Sequence, residues 1–163
     1  MRILGIDPGS RRCGYGVIER MGPGRVRYVE CGVVEAPATR PLPRRLVEIS
    51  AGLREVIAEL RPDAVAVEGV FHGKNARAAL QLGHARGAVL VVCAEAELDV
   101  AEYAPATVKR MVAGSGRATK EQVQHMVRAL CALAGSPRLD ASDALAIAIC
   151  HAFRSRIAER SRA

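Results

Sequence analysis

The 163-residue chain has no tryptophan, two phenylalanines and three tyrosines, an aromatic share of 3%. So few rings disfavour a single-strand binder built from stacking platforms, and the core has to be assembled from Val, Leu, Ile and Ala. Long apolar runs are also missing. The longest uncharged apolar stretch, Gly87 to Ala94, falls far short of the ~20 residues of a membrane helix. The run ahead of Asp7 is too short for the core of a secretion signal. The five cysteines (Cys13, Cys31, Cys93, Cys131, Cys150) are scattered, odd in number and without a C-x-x-C pair. That pattern suits buried thiols in a reducing cytoplasm better than a disulfide framework or a zinc site. Acidic residues are the minority charge, 17 against 24 Lys and Arg, a formal +7, which favours polyanionic partners.

What is present is organised around residues 1–16. The apolar run Ile3-Leu4-Gly5-Ile6 delivers Asp7 and breaks at Pro8-Gly9, then Cys13-Gly14-Tyr15-Gly16-Val17-Ile18 resumes as a returning strand. A carboxylate at the tip of a buried strand is held still, and Gly9 lets a ligand approach the backbone. Read alone, Asp7 is equally an ordinary turn aspartate.

Along the chain, strands are predicted into Asp7, from Cys13 to Glu19 and from Val26 to Val34, and short connections make them an antiparallel meander. A Pro-rich loop, Pro37 to Pro43, leads into a helix whose Leu46, Ile49, Leu53, Val56, Ile57 and Leu60 share one face. Arg61-Pro62-Asp63 stops it. Ala64 to Val67 reads as a strand covered on both sides and ends on Glu68. A long helix follows from about Asn75 to Glu97, and its Gly83 and Gly87, one turn apart, favour close packing within the chain over a dimer seam. Val100 to Tyr103 is a brief strand, and Pro105 opens a short helix with Lys109 and Arg110. Thr119 and Gln122 form a capping-box signature for a helix through Leu133. The last helix starts between Leu139 and Ser142, runs through Phe153 and leads into a basic tail, Arg154 to Arg162. The sum is one α/β domain, a mixed five-stranded sheet flanked by helices.

Four acids fall at strand and helix ends. Asp7 ends the first strand, Glu68 ends the fourth, and Asp140 and Asp143 lie three apart at the start of the last helix, on one side of it. Helix N-terminal acids are favoured by the dipole in any case. Together, however, four carboxylates would repel one another unless cations sat among them. Hard divalent cations take such oxygen ligands, and two ions about 3.5–4 Å apart can drive in-line displacement at a phosphodiester. No Ser, Cys or His nucleophile is convincingly placed.

The strings Gly5-Ile6-Asp7-Pro8-Gly9-Ser10, Gly14-Tyr15-Gly16-Val17, Glu68-Gly69-Val70-Phe71, Lys74-Asn75, Val123-Gln124-His125-Met126-Val127 and Asp143-Ala144-Leu145-Ala146-Ile147-Ala148 occur in order from Arg2 to about Phe153. In this the chain resembles the RuvC family of Holliday-junction resolvases. The resemblance implies a ribonuclease H-like fold over residues 1–155, with 156–163 as a basic tail. It also implies a homodimer that cuts opposed strands of a four-way DNA junction, two Mg²⁺ ions per site with Mn²⁺ as a substitute, and a branch-migration motor complex of the RuvA and RuvB type as partner. Asp7, Glu68, Asp140 and Asp143 match the family's metal-binding catalytic acids. Phe71 matches an aromatic that stacks near the crossover, Lys74 and Asn75 lie in the shared Lys-Asn string on the DNA side, and Lys109 and Lys120 match lysines assigned to the DNA backbone and cleavage. Phe71 sits in a polar Phe-His-Gly-Lys loop, which favours exposure. Lys120 at a helix N-terminus is disfavoured by the dipole, which favours a functional reason for it. Gly69 departs from the family, where Gln more often follows the catalytic Glu.

Three other readings remain at this stage. A nucleotide-binding protein of the actin and sugar-kinase type also begins with a strand and a phosphate loop, but needs two such domains. A neighbouring resolvase-like family acts in ribosomal RNA processing, with shorter chains and a different acidic set. A non-catalytic junction scaffold would not require clustered carboxylates, whose burial is costly.

Overall fold

The computed structural model describes residues 1–69 and 75–160, with 155–160 as backbone alone. The elements run β1 (Arg2–Asp7), β2 (Arg12–Gly22), β3 (Arg25–Glu35), α1 (Leu42–Leu60), β4 (Ala64–Glu68), α2 (Ala76–Glu95), β5 (Val100–Tyr103), α3 (Pro105–Ala113), α4 (Lys120–Leu130) and α5 (Leu139–Arg160). The sheet order is β3-β2-β1-β4-β5. The first three strands are an antiparallel meander, and β4 and β5 continue the sheet parallel to β1. This is the mixed five-stranded sheet that the sequence predicts.

The two-residue period of a strand divides the core in two. Leu4 and Ile6 of β1, with Val65 and Val67 of β4, pack under α1 and α2 against Ile49, Leu53, Val56, Val89 and Val92. Ile3 and Ala66 face the other way, towards α3, α4 and α5, where Leu145, Ile147 and Ile149 are at most 1% exposed. Each such fully buried aliphatic contributes about 1.5–3 kcal/mol. By the same alternation Gly5 and Asp7 of β1, and Ala64 and Glu68 of β4, look towards α5.

The side facing α5 is built from small residues, so the helix lies directly on the sheet. A Cβ on Gly5 would come within 2.0 Å of the Ala144 carbonyl oxygen, and one on Gly14 within 2.0 Å of the Asp140 carbonyl oxygen. No side chain can occupy either position without moving α5.

Several boundaries differ from the sequence expectation. β2 and β3 extend past their apolar residues because hairpin pairing continues to Gly22–Arg25. Its turn has Gly24 at φ +66, and among the described residues a Cβ on Gly22 or Gly24 would stand in open space. Helix α1 begins at Leu42 rather than beyond the Pro-rich loop, since Pro43 in the first turn forfeits no hydrogen bond. Arg61, at φ 44, closes that helix. Helix α4 stops at Leu130, short of Leu133, and α5 continues through Arg154 to Arg160. Cys13, Cys93, Cys131 and Cys150 are buried and Cys31 partly so, all as thiols.

Candidate active site

Parallel pairing of β1 with β4, register Ile6 to Val67, sets Asp7 and Glu68 side by side at the strand ends, both turned towards α5. The first turn of α5, pressed onto β2 through Gly14, adds Asp140 and Asp143. Opposite them α3 presents Lys109 and α4 presents Lys120. A pocket of ≈ 290 Å³ is lined by Asp7, Glu68, Asp143, Lys109 and Lys120, with Val108, Val123 and Ile147 among its apolar walls. Asp140 stands at its edge, outside the lining but close enough to act on Asp7.

The electrostatics follow from that crowding. Burial first, then the charges of Glu68, Asp143 and Asp140, push the Asp7 carboxyl up to about 7, with Lys120 opposing. Glu68 is also raised, by burial and then Asp143, and is opposed by Lys120 and Lys109. Lys120 answers part of this charge: its Nζ lies 2.7 Å from Asp143 Oδ2, and the hydrogen bond to Asp143 holds it firmly protonated. The contact explains how a lysine is tolerated at the first position of α4. The capping box there is complete, with Thr119 accepting from the Gln122 N–H and Gln122 from the Thr119 N–H. It fixes the helix start, and with it the place of Lys120.

Among the described residues no three Asp, Glu, His or Cys side chains converge tightly enough to ligate one ion as they stand. The Lys120 ammonium, on Asp143, offsets part of the acids' charge. The donor set is nonetheless all oxygen, on rigid strand ends and a helix, beside an open pocket, which fits a hard divalent cation.

Of the other predicted residues, Phe71 and Lys74 lie outside the described residues. Asn75 is the N-cap of α2, its Oδ1 accepting from the Ala78 N–H at 3.1 Å, so one side of its amide is already engaged. Gly69 donates its N–H to the Tyr103 carbonyl at 2.8 Å, and a Cβ there would meet ordinary contact at 3.4 Å. His84 and His125 are exposed. Half-buried His151 meets the Tyr103 hydroxyl through Nδ1 at 2.9 Å, and burial lowers its pKa.

One residue near the site escapes the sequence reading. Arg45 is 7% exposed and donates through one Nη to both the backbone oxygen and Oγ of Ser10, each at 3.1 Å, three residues beyond Asp7. The available signal was its position: Arg45, Ile49, Leu53, Val56 and Leu60 form one buried stripe on α1, headed by a charge.

Comparison with known proteins follows the same lines. A family model described as crossover junction endodeoxyribonuclease RuvC matches residues 3–151. The chain is 56% identical over 151 residues to the crossover junction endodeoxyribonuclease RuvC of Halorhodospira halophila, covering 93% of this chain and 89% of that one. It is 50% identical over 161 residues to that of Chloroflexus aggregans, covering 98% of each. Its structure resembles that of T. thermophilus RuvC in complex with Holliday junction substrate, TM-score 0.91 at 41% identity, over 97% of this chain and 96% of that chain. The yeast mitochondrial Holliday junction resolvase Ydc2 shares the fold at 12% identity, TM-score 0.68, over 98% and 82%. With sequence and structure in agreement over nearly its full length, the chain belongs to the RuvC family of crossover junction endodeoxyribonucleases.

Proposed function

We propose that the chain resolves four-way DNA junctions by paired hydrolysis of phosphodiesters in opposed strands, with Asp7, Glu68, Asp140 and Asp143 as its metal-holding acids. The observation that carries this reading is the convergence of acids from β1, β4 and α5 with Lys109 and Lys120 around one pocket. Membership of the family brings a divalent metal cofactor, read here as two Mg²⁺ ions with Mn²⁺ as a substitute. Bound there, the ions would activate the attacking water and stabilise the leaving oxygen.

The chain's own groups supply the rest. Rigid strand ends hold Asp7 and Glu68 in place, so little reorganisation is needed when substrate arrives. Lys109 and Lys120 bring positive charge to the entering phosphate, and Lys120 can leave Asp143 once a stronger cation arrives. Asn75 retains its Nδ2 donors for the DNA backbone, next to Phe71 and Lys74 in the sequence.

A homodimer meets the task, since an open junction offers two equivalent strands to a two-fold particle. The face for it is on α2. Leu80, Gly83, Gly87 and Val91 follow one side of the helix, Leu80 is 65% and Val91 55% exposed, and nothing lies within 4 Å of a Cβ on either glycine. Among the described residues nothing packs on the glycines, contrary to the packing within the chain that the sequence favoured, and a second copy is the occupant that suits them. Cytoplasmic residence and a branch-migration motor complex as partner belong to the same proposal.

The test is cleavage of a labelled synthetic four-way junction beside a linear duplex of the same sequence, with Mg²⁺, with Ca²⁺ and with Asp7→Asn. Paired, ligatable cuts by the wild type with Mg²⁺ alone are the expected result. Tight binding without cutting under any divalent ion would favour the scaffold reading.

A further inference from the structure

The acid pocket is not the largest opening at this end of the sheet. On the α1–α2 side lies a groove of ≈ 890 Å³, lined among others by Ser10, Arg11, Arg12, Glu35, Pro37 and Gln81. Asp7 lines one opening and Ser10 the other. Three residues of chain span at most about 10 Å, roughly three steps of a DNA strand.

The charges around the groove are unbalanced in one direction. Glu35 is its acid, and that carboxylate is shared by Arg12 at 3.5 Å and by Arg138, two cations on one anion. Arg11, an exposed residue, has no carboxylate partner among the described residues. Arg45 stands behind the loop, more than nine-tenths buried, with its bonds going to Ser10 and its Nε meeting no acceptor. A buried guanidinium is ordinarily paired with an acid, because desolvation without a counter-charge is costly. Here its bonds hold Ser10, which lines the groove. The first turn of α1 adds its dipole, with no acidic residue and no side-chain cap.

We infer that this groove is a second phosphodiester subsite, which holds the cut strand within about three nucleotides of the scissile phosphate, with Arg11 as its mobile donor and Arg45 fixing the Ser10 loop. The inference rests on the junction-cutting reading. It makes the Pro8–Ser10 turn a saddle, with chemistry on one side and strand anchoring on the other.

The experiment measures binding of an uncut four-way junction in Ca²⁺, with single neutral methylphosphonate linkages stepped along the cut strand, to wild type, Arg11→Gln and Arg25→Gln. Arg11 is exposed, so its variant folds, and Arg25 lies at the opposite end of the sheet. The expected result is a three- to tenfold loss by the wild type at one or two linkages beside the cleavage position. Arg11→Gln should show a similar loss on the all-phosphate junction, no further loss at those linkages, and a salt slope reduced by about one. Arg25→Gln should follow the wild type in the linkage scan. Equal linkage effects in wild type and Arg11→Gln, or an unchanged salt slope, would overturn the subsite. A wild type that cuts junctions in Mg²⁺ while the scan fails leaves the functional reading standing; one that never cuts removes both.

Discussion

At the scale of single residues, the crowding of the acid pocket falls most heavily on Asp7. Its carboxyl is raised from 3.8 to about 7 by burial and by three like-charged neighbours. A carboxyl raised in this way binds more protons folded than unfolded between those two values. The stability it contributes is therefore full below about 3.8 and is lost as pH rises through about 7, and Glu68 adds to the same trend. Without divalent ions at pH 8, Asp7→Asn should melt about 2–6 °C above the wild type, and the gap should close near pH 4. Added Mg²⁺ should raise the wild type and leave the variant little changed. Thermal melts at the two pH values check this, and a variant less stable than the wild type at pH 8 would refute the charge argument.

Among elements, α5 positions two of the four acids, and it does so through residues that have no side chain. Gly14 pairs with Asp7 across β1 and β2 and receives the Asp140 carbonyl. Gly14→Ala should lift the first turn of α5, cost about 3 kcal/mol, and reduce cutting at least a hundredfold in protein shown by urea titration to be folded. Unimpaired cutting would mean that the helix is not held from this strand. Much of this was legible in the sequence. Apolar strands ending on Asp7 and Glu68, the helical spacing of Leu46 to Leu60 and the Thr119–Gln122 box each express a local rule, and each stands in the fold. What was not legible depends on partners distant in sequence. The lateral reach of β2 and β3 is decided by pairing past their apolar residues, the Lys120–Asp143 contact joins two helices, and Arg45 looks like a surface arginine until α1 is folded over the sheet and meets Ser10. Leu42 heads its helix because Pro43 is tolerated in a first turn, which a rule reading proline as a breaker misses.

For the whole molecule, polarity is the governing property. β1, β3, β4 and β5 all run towards the end that carries Asp7, so α1, α2 and α3, which follow three of them, begin there; α4 and α5 bring Lys120, Asp140 and Asp143 to the same end. Helix N-termini and a surplus of arginine and lysine make that end attractive to phosphate. On the proposed dimer, the outward stripe on α2 would decide whether one end or two meet a junction. Gly83→Arg should give a monomer by analytical ultracentrifugation, and on a supercoiled cruciform plasmid it should leave nicked circles with paired cuts reduced about tenfold or more. A dimer that linearises the plasmid normally would place the seam elsewhere. At the far end, among the described residues, the turn of the β2–β3 hairpin leaves open space where a Cβ on Gly22 or Gly24 would stand. Because lengthening such a turn adds only about 0.6 kcal/mol per doubling, it is an attachment point for a fluorophore or a fused reporter. A dimer tagged there would carry its two dyes away from the DNA, so their separation would report the opening of the particle while the cutting ends remain unmodified.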